Sequence, residues 1–139
     1  MNRNDFQKLA ALRIKEAKIL LDANAYDGSY YLAGYAVECA LKACIAKQTK
    51  RYDFPPKKEV VVGSYTHNLE TLLNTSGLKS TLDKAFAADG TLQIYWSVVK
   101  RWNEGFRYEM NISGPEAHEL YTAITDRKHG VLTWLKKHW

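Results

Sequence analysis

Hydrophobic positions along this chain recur at helical spacing almost throughout. Over residues 5 to about 23, Phe6, Leu9, Ala10, Arg13, Ala17, Leu20 and Leu21 share one stripe, which predicts an amphipathic helix. The segment 24–28, Asn-Ala-Tyr-Asp-Gly, predicts a short turn. From about 29 to 47 the apolar positions run nearly all round: Tyr30, Leu32, Ala33, Ala36, Val37, Cys39, Ala40, Leu41, Ala43, Cys44 and Ile45. A helix of that kind is central in its bundle. Its small residues let neighbouring helices come close.

Pro55-Pro56 interrupts the pattern, so 48–65 reads as a long connection with a short extended piece at Val60-Val61-Val62. A short helix is predicted from Thr66 or His67 to about Thr75, closed by Ser76-Gly77. Further helical stretches are predicted at 78–88 and at 92 to about 104, separated by the turn Asp89-Gly90. After an irregular region at 103–115, Pro115 opens a last helix with Glu116 and Glu119 in its first turns. Its stripe is Leu120, Ile124, Val131 and Leu135, with Gly130 marking a kink or a close contact. The expected fold is all-α, an up-and-down bundle of four to six helices. The length of 139 residues suits one domain over 1–139.

Composition narrows the class. Hydrophobic residues at 46% and charged residues at 25% exclude disordered, collagen-like and coiled-coil chains. No apolar run is long enough for a membrane helix, and the N-terminal MNRNDFQKLA lacks an apolar signal core. No membrane association is expected, and the expected location is cytoplasmic. Cys39 and Cys44 lie five apart within a predicted helix, which is neither disulfide-framework nor metal-ligand spacing.

The net charge of +5 is unevenly placed. Lys47, Lys50, Arg51, Lys57 and Lys58 cluster in one stretch against Asp53 alone, and Arg127, Lys128, Lys136 and Lys137 cluster in the tail with His129 and His138. Two such patches can attract phosphates. A solvated surface, with lysines suited to a helix C-terminus, is the commoner account of such runs.

Single residues carry the remaining chemistry. Arg13 lies on the first stripe and Glu38 in the most apolar helix, positions costly for a charge unless it is paired. The simplest expectation is a buried Arg13–Glu38 pair, with Tyr35 satisfying what remains. Lys42 is an alternative partner four residues after Glu38. The four histidines share no metal-ligand spacing, and no glycine-rich phosphate loop or nucleophile elbow is present. No metal or cofactor is expected. His67 stands at a helix start, where it can meet an anion or simply cap the helix. His118 and His129 read as surface residues of the last helix. Arg107-Tyr108 joins a guanidinium to an aromatic ring, which suits base stacking with phosphate contact, although abundant aromatics are mostly core.

Several of these pieces occur in a known order. LAALRIKEAKILLDA, AYDGSYYLAGYAVECALKAC, THNLETLL and GFRYEM together resemble HEPN domains, the helical modules named for higher eukaryotes and prokaryotes and for nucleotide binding. The most specific piece is AVECALKA. His67-Asn-Leu stands where the family usually has His-Asp-Leu. The resemblance implies a helical bundle, often a homodimer, frequently partnered with a minimal nucleotidyltransferase in toxin–antitoxin and defence systems. Many members are metal-independent RNases whose site is an Arg followed after four to six residues by a His.

This sequence departs from that site. No Arg is followed by a His at that spacing, and Arg127 precedes His129 with only Lys128 between. Positions i and i+2 of a helix point about 200° apart and cannot converge on one phosphate. Arg107 is followed in the window by Asn111, Ile112 and Ser113. The expected function is therefore a non-catalytic module binding nucleotide or RNA, or a nucleotidyltransferase partner, from a homodimer. His67, Arg107, Tyr108, Lys47, Lys50, Arg51, Lys57 and Lys58 are its expected binding residues. One alternative is a metal-independent RNase built on His67 and Arg107 brought together in space. Another is a scaffold without a ligand.

Overall fold

The structure is a computed structural model and describes residues 1–49 and 54–139. Among these residues there are eight α-helices, one 3-10 helix and no strand. The first helix, α1, spans Arg3–Asp22 and begins at a reciprocal cap, in which Asn2 and Asp5 each accept the other's backbone N–H. The turn to α2 is tighter than the composition of 24–28 predicts. Asn24 takes a left-handed conformation (φ 60°), which asparagine tolerates better than most residues. As a result α2 starts early and spans Tyr26–Gln48, with Gly28 inside it against Leu20.

The second helix is the hub. It packs against α1, α4 (Leu69–Thr75), the 3-10 helix (Glu104–Tyr108), α7 (Gly114–Thr125) and α8 (Val131–Leu135). Small residues at Ala33, Ala36, Ala40 and Ala43 are fully or almost fully covered, as close approach requires. Trp102 has no room to spare on this helix. A methyl group on Gly34 would overlap the Trp102 ring.

Val60-Val61-Val62 is not extended. It lies in a short helix, α3, over Lys58–Ser64. β-Branched residues favour strands, but an isolated strand leaves its backbone groups unpaired, whereas a helix pairs its own. Lys57 and Lys58 therefore sit at the start of α3 rather than in a loop. Lys50 and Arg51 lie outside the described residues.

The short helix after His67 is α4, capped by the Asn68 side chain on Thr71 N. Gly77 takes the positive φ of 75° expected of a helix-ending glycine. Next come α5 (Lys79–Ala88) and α6 (Gly90–Val99), the latter capped by Asp89.

The last predicted helix is two. α7 begins at a Ser113–Glu116 capping box with proline in the first turn, then stops at Thr125, and α8 restarts at Val131. Gly130 allows the break, because a methyl there would lie 2.6 Å from the carbonyl oxygens of Ile124 and Asp126. His129 is thus not a residue of the last helix. Its Nδ1 donates to the Asp89 carboxylate at 2.8 Å, tying the break to the start of α6.

This clasp has a pH signature. The His129 hydrogen bond, followed by the Leu92 backbone N–H, holds Asp89 below the ordinary 3.8. Backbone N–H groups of His129 and Lys128 do the same for Asp126. A carboxylate depressed in the folded state stabilises the fold above its unfolded pKa, and that contribution is lost as pH falls through the folded value. The melting temperature should therefore drop on acidification below about 3.8. Asp89→Asn and Asp126→Asn should each flatten that drop in a thermal scan against pH; an unchanged profile in both would remove the two aspartates from the acid response.

Candidate functional site

On α2, residues 31, 35, 38 and 42 follow one another at helical spacing along one side. Most of the helix is buried, but Tyr31, Tyr35 and Lys42 keep partial exposure, so this side opens to solvent. The rings of Tyr31 and Tyr35 are nearly parallel with centroids 6.1 Å apart, and Trp102 continues the stack at 5.8 Å from Tyr31. At the end of this ladder stands Glu38, which is 2% exposed.

Glu38 is paired, but not with Arg13. Its Oε1 accepts from His67 Nδ1 at 2.8 Å and from Lys42 Nζ at 3.0 Å. Arg13 instead reaches along its own helix to Glu16 at 2.6 Å. Arg13 is only part-buried and Glu16 lies one turn away, so the local pair forms without ordering a second helix. Tyr35 does not complete the Glu38 shell either. The second carboxylate oxygen, Oε2, is buried with no hydrogen-bond partner among the described residues. Trp102 Nε1 is in the same condition.

His67 is half exposed, with its side chain at 50%. It precedes the Asn68 cap and is held by Glu38, so α4 positions it and α2 fixes its ring. The bond to Glu38 places a proton on Nδ1 and leaves Nε2 as the outward group. A carboxylate behind an imidazole is an arrangement that can orient a hydrogen-bonding or proton-accepting nitrogen. Burial raises the Tyr35 hydroxyl above its ordinary value, and neighbouring Cys39 and Glu38 add to that, so Tyr35 offers a neutral hydroxyl. Burial pushes the thiols of Cys39 and Cys44 up to about 11, which leaves them protonated and poor nucleophiles near neutrality.

The other expected residues lie elsewhere. Phe106 packs on Tyr30 at 4.8 Å, and Ile112 N donates to Asp27, so 106–112 is pinned near the start of α2. Arg107 and Tyr108 point outward, the guanidinium 5.0 Å from the tyrosine ring. Tyr30 and Glu38 are eight residues apart, about 12 Å along a helix axis. Arg107 and His67 are thus anchored at different levels, and no hydrogen bond or ion pair joins them among the described residues. Lys47 lies in the last turn of α2, exposed. His118 is exposed beside Tyr26.

Sequence reasoning marked Glu38 and His67 separately and missed that they meet. Glu38 stands out as a charge among apolar neighbours, whereas His67, between Thr66 and Asn68, stands out only as a helix-start histidine. The ring ladder had no local signal, because Trp102 comes from far along the chain. Among the described residues no group of three His, Cys, Asp or Glu side chains forms a metal site, and no helix is long and apolar enough to cross a membrane.

An all-helical bundle whose central small-residue helix carries a buried glutamate, met by a histidine from the start of a short following helix, defines a class of small helical modules. The HEPN domain model matches residues 5–136, and the chain belongs to the HEPN domain family. That membership makes it, in general terms, a nucleotide- or RNA-related module. No curated protein and no solved structure matches the chain.

Proposed function

We propose that this chain is a non-catalytic HEPN module that binds a nucleotide or RNA on the open side of α2 and works as a homodimer. The observation that carries this reading is the ladder of Trp102, Tyr31 and Tyr35 leading to the Glu38–His67–Lys42 cluster. The part-exposed Tyr31 and Tyr35 rings, backed by the buried Trp102, offer a base a flat surface, and the oriented imidazole beside them offers a hydrogen-bonding nitrogen. Arg107 and Tyr108, two turns away, provide a second contact for a longer RNA. The test is thermal stability in nucleotide. Ligand at about 100 times its dissociation constant adds about 2.7 kcal/mol to a fold it binds selectively. Tyr35→Ala should abolish that shift, and a wild type unmoved by any nucleotide would refute the reading.

The surface proposed for the dimer lies on α1. The apolar ring of α2 is covered within one chain, and Trp96, Trp102 and Trp134 are buried there too. The exposed apolar residues on α1, Leu12 and Ile19, are what a second copy would cover. A symmetric homodimer is the commonest assembly of soluble proteins. Light scattering at micromolar concentration should return twice the chain mass in the wild type and a lower mass in Leu12→Glu; a monomeric wild type would defeat the proposal. A minimal nucleotidyltransferase is the proposed protein partner, a toxin–antitoxin or defence system the proposed setting and the cytoplasm the proposed location. A nucleotidyltransferase encoded beside this chain would support the partner.

A second reading is favoured by one observation, the carboxylate behind His67. A metal-independent RNase would use His67 Nε2 on a 2′-hydroxyl. RNA cleavage in EDTA that disappears in both His67→Ala and Arg107→Ala would establish it over the binding module.

A further inference from the structure

Three segments distant in sequence meet at the end of the bundle where α2 finishes. Arg3 donates to the carbonyl oxygen of Trp139, which ties the start of α1 to the residues after α8. Cys44 lies against Leu135 O, bringing the last turns of α2 to the same place. The Cys44 thiol feels Lys47 and Arg3, and His138 feels Lys47 and Lys137. The two basic stretches that stand far apart in sequence thus converge. Lys47, Lys136 and Lys137 are exposed, and none has a carboxylate side chain within ion-pairing distance among the described residues, while Arg3 is exposed and already engaged by the Trp139 backbone oxygen. Aromatic rings are interleaved with them. His138 packs on Trp134 with centroids 4.2 Å apart, and Lys136 Nζ stands 5.9 Å from the centre of the part-exposed Trp139 ring.

Lysines beside the carbonyl ends of α2 and α8 gain something from the helix dipoles. That gain does not account for the part-exposed Trp139 ring beside them. Unpaired cations alone would suit any anionic surface. Cations spaced between rings suit a chain that alternates phosphates with flat bases, which is single-stranded nucleic acid. Lys47 lies nine residues beyond Glu38, about 14 Å along α2, so this end is distinct from the ring ladder.

We infer that Arg3, Lys47, Lys136, Lys137 and Trp139 form a second binding surface, one that takes the backbone and a base of single-stranded RNA. The inference rests on the nucleotide- or RNA-binding reading for its class of ligand. It adds a place where the strand continues after leaving the α2 face.

The test is fluorescence anisotropy of labelled oligouridylate against salt. Four neutralised phosphates at roughly 0.7 each predict a wild-type affinity loss of about fifty-fold between about 50 and 200 mM salt. Lys47→Gln with Lys136→Gln and Lys137→Gln should reduce that loss to about threefold, the slope left by one cation. Trp139→Ala should weaken binding while leaving the salt slope unchanged. If the triple variant melts early, Arg3→Gln with Lys137→Gln serves instead and should remove about half of the slope. An unchanged slope in the variants, no binding of oligouridylate by the wild type, or binding only to phosphatidylserine vesicles would each overturn the inference. Failure of the nucleotide reading is seen separately: mononucleotide would give no thermal shift while oligouridylate kept its lysine-dependent slope.

Discussion

Gly34→Ala is expected to destabilise the bundle by about 3 kcal/mol, at the upper end of what overpacking a core usually costs. In an exposed helix the same change would add about 1 kcal/mol of stability through helix propensity. Here the sign reverses, because the new methyl would occupy the space of the Trp102 ring. Neither side can give way. Gly34 lies on the helix that five other elements touch, and Trp102 is 2% exposed and stacked on Tyr31. A relieving substitution follows. Trp102→Leu alone should cost about 3 kcal/mol as a large-to-small core change. Combined with Gly34→Ala it should cost clearly less than the sum, since the methyl fills part of the space vacated. Denaturant unfolding of the two single variants and the double variant measures the coupling, and strict additivity would show that Gly34 and Trp102 do not share that space.

Lys42→Met should cost about 3 kcal/mol, the low end for removing one partner of a buried ion pair, since it leaves the Glu38 charge with the half-exposed His67 as its one partner among the described residues. Glu38 is the group left under-compensated. It sits deep in the bundle, and its second oxygen already lacks a partner. Glu38→Met should cost less, because Lys42 and His67 both retain contact with water and can be solvated again. The double change should fall below Lys42→Met alone, as apolar replacement of a whole buried pair is often neutral. Arg13→Met should cost under about 1 kcal/mol, the range of part-exposed ion pairs on a helix. Chemical denaturation of the four variants gives the ranking. An Arg13 variant as damaging as the Lys42 variant would mean that Arg13, and not Lys42, holds the Glu38 charge.

The sequence carried more of the fold than of the site, for reasons visible at particular residues. α1 and α7 are legible because cap chemistry and apolar spacing agree there, as at Ser113, Pro115 and Glu116, whereas α2 is legible from its apolar run alone and has no capping side chain to fix its start. The break at 126–130 shows in the sequence only as a kink or close contact at Gly130, because Ile124, Val131 and Leu135 keep helical spacing across it. The three valines at 60–62 were misread because so short an apolar run has no period of its own. Glu38 was recognisable as a charge in an apolar helix, but its histidine partner is 29 residues away and only the docking of α4 on α2 joins them. Trp102 was one aromatic among many until its packing on Gly34 fixed it.

The central position of α2 also sets an order of assembly. α1 and α2 are joined by a short turn and touch over most of their length, so their pairing involves local contacts that form early. The proposed α2 face is built later, because Trp102 and His67 arrive from further along the chain and closing longer loops costs more entropy. A ligand gripping that face recognises the finished chain and not the early hairpin. Its contacts would be missing from the folding transition state, so it would slow unfolding while leaving the folding rate nearly unchanged.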